Sequence, residues 1–213
     1  FVNIDNTDIP YNASGFDTIP SSVVSVWKRG EWCLAFSLLV PQAQRIENRL
    51  TLPTPNTRST LVQLQSGQEL WAGPSIARSF GSNFALGLSL FGVRASASSM
   101  VGIYTRFPVN PNVAIASQNH VLSDVYSLTA LLGARWTVAP FLVVGLRVRL
   151  PGLLLVGTGD GYAFDQTLDG AGVAVSEVEQ KGIPARASLP LDVAVGTGWT
   201  VSSGFRVLAD VSV

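Results

Sequence analysis

Bulky apolar residues recur at every second position through several stretches of this chain. From Trp32 to Val40 the series is Trp32, Leu34, Phe36, Leu38 and Val40, with Cys33, Ala35, Ser37 and Leu39 between. Phe84, Leu86, Leu88 and Leu90 alternate with Ala85, Gly87 and Ser89. Leu128, Ala130, Leu132, Ala134 and Trp136 alternate with Thr129, Leu131, Gly133, Arg135 and Thr137. Leu142, Val144, Leu146, Val148 and Leu150 alternate with Val143, Gly145, Arg147 and Arg149. The series Leu189 to Trp199 and Phe205 to Val213 repeat the pattern. Period two is the signature of a β-strand, because successive side chains point to opposite faces.

Short turn sequences join these runs in pairs. They are Lys28-Arg29-Gly30-Glu31, Ser79-Phe80-Gly81-Ser82-Asn83, Thr137-Val138-Ala139-Pro140 and Thr200-Val201-Ser202-Ser203-Gly204. Four hairpins result, at about 21–41, 60–96, 124–156 and 186–213. The polar stretches Gln42–Ser59, Ala97–Ser123 and Gly157–Ala185 read as long loops from their Pro, Asn, Gly and Asp content. Residues 1–20 read as an extracellular loop or N-terminal segment. The expectation is a single all-β domain over 1–213 with about eight strands.

Composition decides what kind of sheet this is. Charged residues make up 13% of the 213 and hydrophobic ones 47%. A soluble domain carries about 25% charge. Mean hydropathy is positive, yet no uncharged apolar run reaches the roughly 18 residues of a spanning helix. Disorder is excluded, since it needs low hydrophobicity and high charge. A net charge of +0 without a basic stripe argues against nucleic acid as a partner. The lone Cys33 builds no disulfide framework. Strands with one large apolar face, and a second face of Gly, Ala and Ser with scattered charge, suit a transmembrane antiparallel up-and-down β-barrel. Arginine on the lipid side at the midplane costs about 2–4 kcal/mol. Arg135, Arg147, Arg149, Asp192, Arg206 and Asp210 all have the parity of the other face and are expected to face the lumen. Trp27, Trp32, Phe84, Trp136, Trp199 and Phe205 lie beside predicted turns and fit an interfacial girdle.

Outer-membrane barrels have short periplasmic turns and longer extracellular loops. Applied here, that rule makes the four short turns periplasmic and leaves both chain ends outside. The expectation is therefore an internal portion of a larger barrel in a bacterial outer membrane.

Several segments resemble the FadL family of outer-membrane hydrophobic-compound transporters. They include Ile19-Pro20-Ser21-Ser22-Val23 and Gly73-Pro74-Ser75-Ile76-Ala77-Arg78 leading into Leu86-Gly87-Leu88-Ser89-Leu90-Phe91-Gly92. Leu131-Leu132-Gly133-Ala134-Arg135-Trp136 and Val144-Gly145-Leu146-Arg147-Val148-Arg149-Leu150-Pro151-Gly152 follow. Leu189-Pro190-Leu191-Asp192-Val193-Ala194-Val195-Gly196 and Leu208-Ala209-Asp210-Val211-Ser212 complete the set. The family's barrel has fourteen strands, and its N-terminal plug with an Asn-Pro-Ala element is not visible in this sequence. The resemblance implies passive uptake of hydrophobic small molecules such as long-chain fatty acids. Membrane lipid and a hydrophobic ligand are then the expected partners. A structural barrel serving as a platform for partner proteins and a general porin are the alternatives.

Little else suggests chemistry. His120, the only histidine, has Ser123, Asp124 and Ser127 nearby, but no Gly-x-Ser-x-Gly elbow exists. A solvated loop histidine is favoured, and no enzymatic activity is expected. Asp160, Asp165 and Asp169 offer carboxylates of the kind Ca²⁺ takes, but their spacing is not that of an EF-hand loop. A Gly/Asp turn cluster is favoured, and no cofactor or metal is expected. Gly73-Pro74 interrupts a strand, since proline removes a ladder donor. It is expected as a bulge or as a kink that opens the wall.

Overall fold

A computed structural model describes residues 11–17, 21–54, 56–110, 112–169, 171–202 and 205–212. Every regular element among them is a strand. In order they are β1 (Tyr11–Asp17), β2 (Ser21–Arg29), β3 (Trp32–Pro53), β4 (Arg58–Phe80), β5 (Phe84–Arg106) and β6 (Ala114–Ala139). Then follow β7 (Leu142–Arg149), β8 (Leu153–Asp169), β9 (Gly172–Pro184), β10 (Asp192–Ser202) and β11 (Phe205–Ser212).

All ladders are antiparallel and make one curled sheet. Three positions in the wall are filled by two strands end to end. β1 and β2 both pair with β3, and β7 and β8 both pair with β6. β9 pairs with β8 and β10 with β7. The eleven strands therefore occupy eight positions across a half-barrel. β11 pairs with β10 alone and β2 with β3 alone, so the described sheet is open at both edges.

The expected long loops are mostly strand. β3 runs on through Gln42 to Pro53 and β4 begins at Arg58. β5 continues to Arg106 and β6 begins at Ala114. The stretch from Gly157 is filled by β8 and β9. Residues 11–17, expected as loop, form β1. The physical reason is that these stretches also alternate, but with their charges on one parity. Arg45, Glu47 and Arg49 share one face of β3, while Ile46, Asn48 and Leu50 share the other. The predicted turns hold in shortened form at Gly30-Glu31, Gly81–Asn83 and Pro140-Phe141. Gly30 and Gly81 have φ of 60° and 66°, which glycine adopts without a Cβ clash. Ser203-Gly204 lies outside the described residues.

The sheet has two tiers that meet at one height, the waist. The lower tier runs from the waist to the hairpin ends at Gly30, Gly81 and Pro140. The upper tier runs the other way. At the waist the ladders are irregular in one line. β3 and β4 shift register between Leu39 and Gln42, and β6 and β8 shift between Tyr126 and Ser127. β7 gives way to β8 and β9 to β10 nearby. Bulges increase local twist and bend a strand, which is how a sheet this long turns its wall.

The buried side chains Trp71, Phe91, Val93, Val125, Ser127 and Thr129 lie on one face. That face is the concave one. In the lower tier the convex face carries exposed Leu34, Phe36, Ile76, Leu86, Leu88, Leu132 and Leu146. In the upper tier the same face carries Arg45, Glu47, Arg49, Arg58, Arg94, Arg106, Asp124, Glu177 and Glu179. Convex polarity thus reverses across the waist.

Candidate functional site

The buried apolar cluster among the described residues is on the concave face at the waist. Trp71 on β4 stands opposite Val93 on β5 and Leu39 on β3. With Phe91 they form a cluster that Leu131 and Leu189 cover. Trp71 is 6% exposed and Phe91 4%. Their ring centroids are 5.7 Å apart with the planes inclined at 56°, a tilted pairing that aromatic quadrupoles favour. Leu189 reaches the cluster from the non-strand segment 185–191, which is tied to the wall by Gly152 N–H donating to Leu189 O at 2.9 Å.

Gly73 makes room for this packing. Its ladder to β5 is interrupted, for Ala72 pairs with Gly92 and Ser75 with Ser89 while Gly73 and Pro74 are skipped. A Cβ on Gly73 would overlap the carbonyl oxygen of Leu90. The register is the same on both sides of the gap, and β4 pairs with β3 through both residues. The register shift of this region lies instead at Val40-Pro41 on β3, beside Leu70. Pro41 lacks an N–H and breaks the ladder there.

A charged group adjoins the cluster. Asp192 at the start of β10 meets Arg147 at 3.2 Å and Arg149 at 3.6 Å. The register puts Arg149 directly opposite Asp192 and Arg147 opposite Ala194. The Arg149 guanidinium lies 5.9 Å from the Trp71 ring centroid. On the other side of the cluster, Trp71 Nε1–H donates to Glu69 Oε2 at 3.0 Å. Arg149 and Asp192 are 22% and 21% exposed at the side chain. The arrangement fixes two positive charges and one negative charge beside the apolar cluster.

The six parity-selected residues fare unevenly. Arg135, Arg147, Arg149 and Asp192 share the concave face by register. Three of them meet, whereas Arg135 is exposed opposite Gly145 and has no ion pair among the described residues. Arg206 and Asp210 pair in register with Thr200 and Gly196. Their side chains, and that of Phe205, lie outside the described residues.

Asp160, Asp165 and Asp169 sit on β8 rather than in a loop and do not converge. Asp160 has the opposite parity to the other two. Asp169 Oδ1 accepts from Ala171 N at 2.8 Å and Gly172 N at 3.0 Å, closing the β8–β9 turn. Asp160 Oδ1 accepts from Gly182 N at 3.0 Å. Among the described residues no group of three or more His, Cys, Asp or Glu is placed to hold a metal.

His120 is on β6, not in a loop, and its Nε2 is 3.1 Å from Ser98 Oγ across the strand. The sequence hid this pair because it is cross-strand and fell within an expected loop. On the same face Arg94 bonds Asp124 at 2.8 Å, and that hydrogen bond with the carboxylate charge raises the Arg94 pKa. Desolvation, then the nearby Glu177, raises that of Tyr162.

Compared with known proteins, the chain matches no family model, no curated protein and no solved structure.

Proposed function

We propose that this chain forms wall of a bacterial outer-membrane β-barrel that passes hydrophobic small molecules, of which long-chain fatty acids are the leading class. The observation that carries the reading is the reversal of convex polarity at the waist. The apolar run Trp32–Val40 has nine residues. At about 3.3 Å each, with a tilt near 40°, they rise about 23 Å, close to the ~25 Å apolar band of such barrels. Trp27, Trp32, Phe80, Phe84, Trp136 and Phe141 at the lower end, all exposed, suit an aromatic girdle. The charged upper tier then projects into water on the cell exterior.

The concave face supports a hydrophobic cargo. In the upper tier the concave parity of β3 to β6 offers Ile46, Leu50, Leu61, Val101, Ile103, Ile115 and Val121 among Gln, Asn and Ser, with Glu69 the lone charge on those strands. This face leads to the Trp71–Phe91 cluster. An acyl chain gains by leaving water for such a surface and on these strands meets only Glu69 before the cluster. The FadL resemblance agrees with this direction of use. A general porin is the second reading, favoured by Asp192 with Arg147 and Arg149, since charged rings select ions in polar pores.

The test is transport by the full chain reconstituted in liposomes. Saturable entry of a fluorescent long-chain fatty acid, weakened in Trp71→Phe, is the expected result. Steady ionic conductance without fatty-acid entry would favour the porin. Neither activity in correctly inserted protein would leave the platform role.

A further inference from the structure

Arg78 occupies an unusual corner of the convex face near the lower hairpin ends. Its guanidinium lies 5.1 Å from the ring centroid of Trp32 and 5.1 Å from that of Phe80. One terminal nitrogen is 3.3 Å from Glu31 Oε2. Its Nε is shut off from solvent and has no hydrogen-bond partner among the described residues. Arg29, at the end of β2 and opposite Trp32 in register, adds a second positive charge on the same face, so the cations there outnumber the one carboxylate.

Two apolar troughs begin at this corner. One crosses β4 to β7 past Leu86, Leu88, Leu132 and Leu146. The other lies toward β2, between Trp27 and Leu34, with Lys28 and Arg29 at its rim. Trp32 and Ile76 form the ridge that both troughs share.

We propose that this corner holds one anionic two-chain phospholipid. The phosphate lies against Arg78 and Arg29, and one acyl chain runs down each trough astride the Trp32–Ile76 ridge. The proposal rests on the reading that the lower tier sits in a membrane. Charge complementarity selects the occupant: the cations exceed the carboxylates, and a guanidinium matches phosphate oxygens in shape as well as in sign. The two stacked rings hold the guanidinium in place, which lowers the entropy lost on binding. A fatty acid fills one trough only, and a free phosphate fills neither.

The experiment uses the full chain purified in a mild detergent, with retained lipid counted by native mass spectrometry. The wild type is offered phosphatidylglycerol, phosphatidylcholine or inorganic phosphate. Retention of one phosphatidylglycerol in about tenfold preference to phosphatidylcholine is expected. Arg78→Gln brings the two lipids to parity. Arg106→Gln, which removes the same charge at the far end of β5, leaves the preference intact. Equal retention of both lipids by the wild type, an unchanged preference in Arg78→Gln, or equal loss in Arg106→Gln would overturn the site. Flotation of wild type and Arg78→Gln with phosphatidylglycerol vesicles separates the two levels of failure. If neither floats, the membrane reading fails and the lipid site with it. If both float without lipid preference, only the lipid site fails.

Discussion

The lower and upper tiers are built from the same strands, yet their convex faces have opposite character. β5 shows it within one element. Leu86, Leu88 and Leu90 point outward below the waist, and Arg94, Ser96 and Ser98 point outward above it. The backbone does not change, since the ladder keeps one register against β6 throughout. Only the side chains change, so the contrast between the tiers is carried by the convex residues alone. The concave face is less divided. On β3 to β6 its upper tier carries Glu69 as the one charge, its lower tier gathers Arg135, Arg147, Arg149 and Asp192 on β6, β7 and β10, and its bulk collects at the waist.

The sharpest way to break this contrast is to place one cation in each tier. Leu88→Arg should destabilise the inserted chain by about 2–4 kcal/mol, because it puts a guanidinium in the apolar band. Gln68→Arg, on the convex face of the upper tier, should cost less than about 0.5 kcal/mol. Urea unfolding in lipid vesicles measures both, and equal costs would end the distinction between tiers. The junction between the tiers gives a smaller effect. Gly73→Ala drives a methyl into the Leu90 carbonyl and should cost about 1–3 kcal/mol, measured in the same unfolding series. Gly67→Ala, where a Cβ meets nothing within 4 Å, is its comparison and should be nearly neutral.

The smallest effect belongs to the upper tier alone. Desolvation and Glu177 hold the Tyr162 phenol above its ordinary value of 10.0. A raised folded pKa means the folded chain keeps the proton more tightly than the unfolded one. The stabilisation is therefore present below the unfolded pKa and is lost as pH rises through the folded one. Ultraviolet titration should find the Tyr162 phenol ionising above the ordinary tyrosine value, and Glu177→Gln should bring its ionisation to lower pH.

Strand identity was legible wherever bulk alternated, as in Trp32–Val40 and Leu128–Trp136. The same alternation placed Arg135, Arg147, Arg149 and Asp192 on one face. The upper strands were missed because alternation there is between charge and amide rather than between bulk and glycine. Arg45, Glu47 and Arg49 repeat every second residue as faithfully as any leucine series, and so do Glu177, Glu179 and Lys181. Prolines at 41 and 53 also suggested loop, although β3 absorbs the first at a register shift and ends at the second. The waist cluster was not legible. Trp71, Phe91, Leu39 and Leu189 come from four segments, and their meeting depends on register and on a glycine that permits close approach.

The register shift at Val40-Pro41 also gives β3 a reading frame. Below it the odd residues Cys33, Ala35, Ser37 and Leu39 take the concave side; above it the even residues Gln42, Gln44, Ile46 and Asn48 do. The two halves of the strand are out of phase by one residue. Three steps along β3 here answer two along β4, so loss of one residue would remove the bulge and leave Arg45, Glu47 and Arg49 outward, whereas loss of both Val40 and Pro41 would act as a frameshift in space and send them inward together. Shortening at this point is therefore tolerable by one residue and not by two, and that constraint binds the spacing of β3 more tightly than it binds any side chain there.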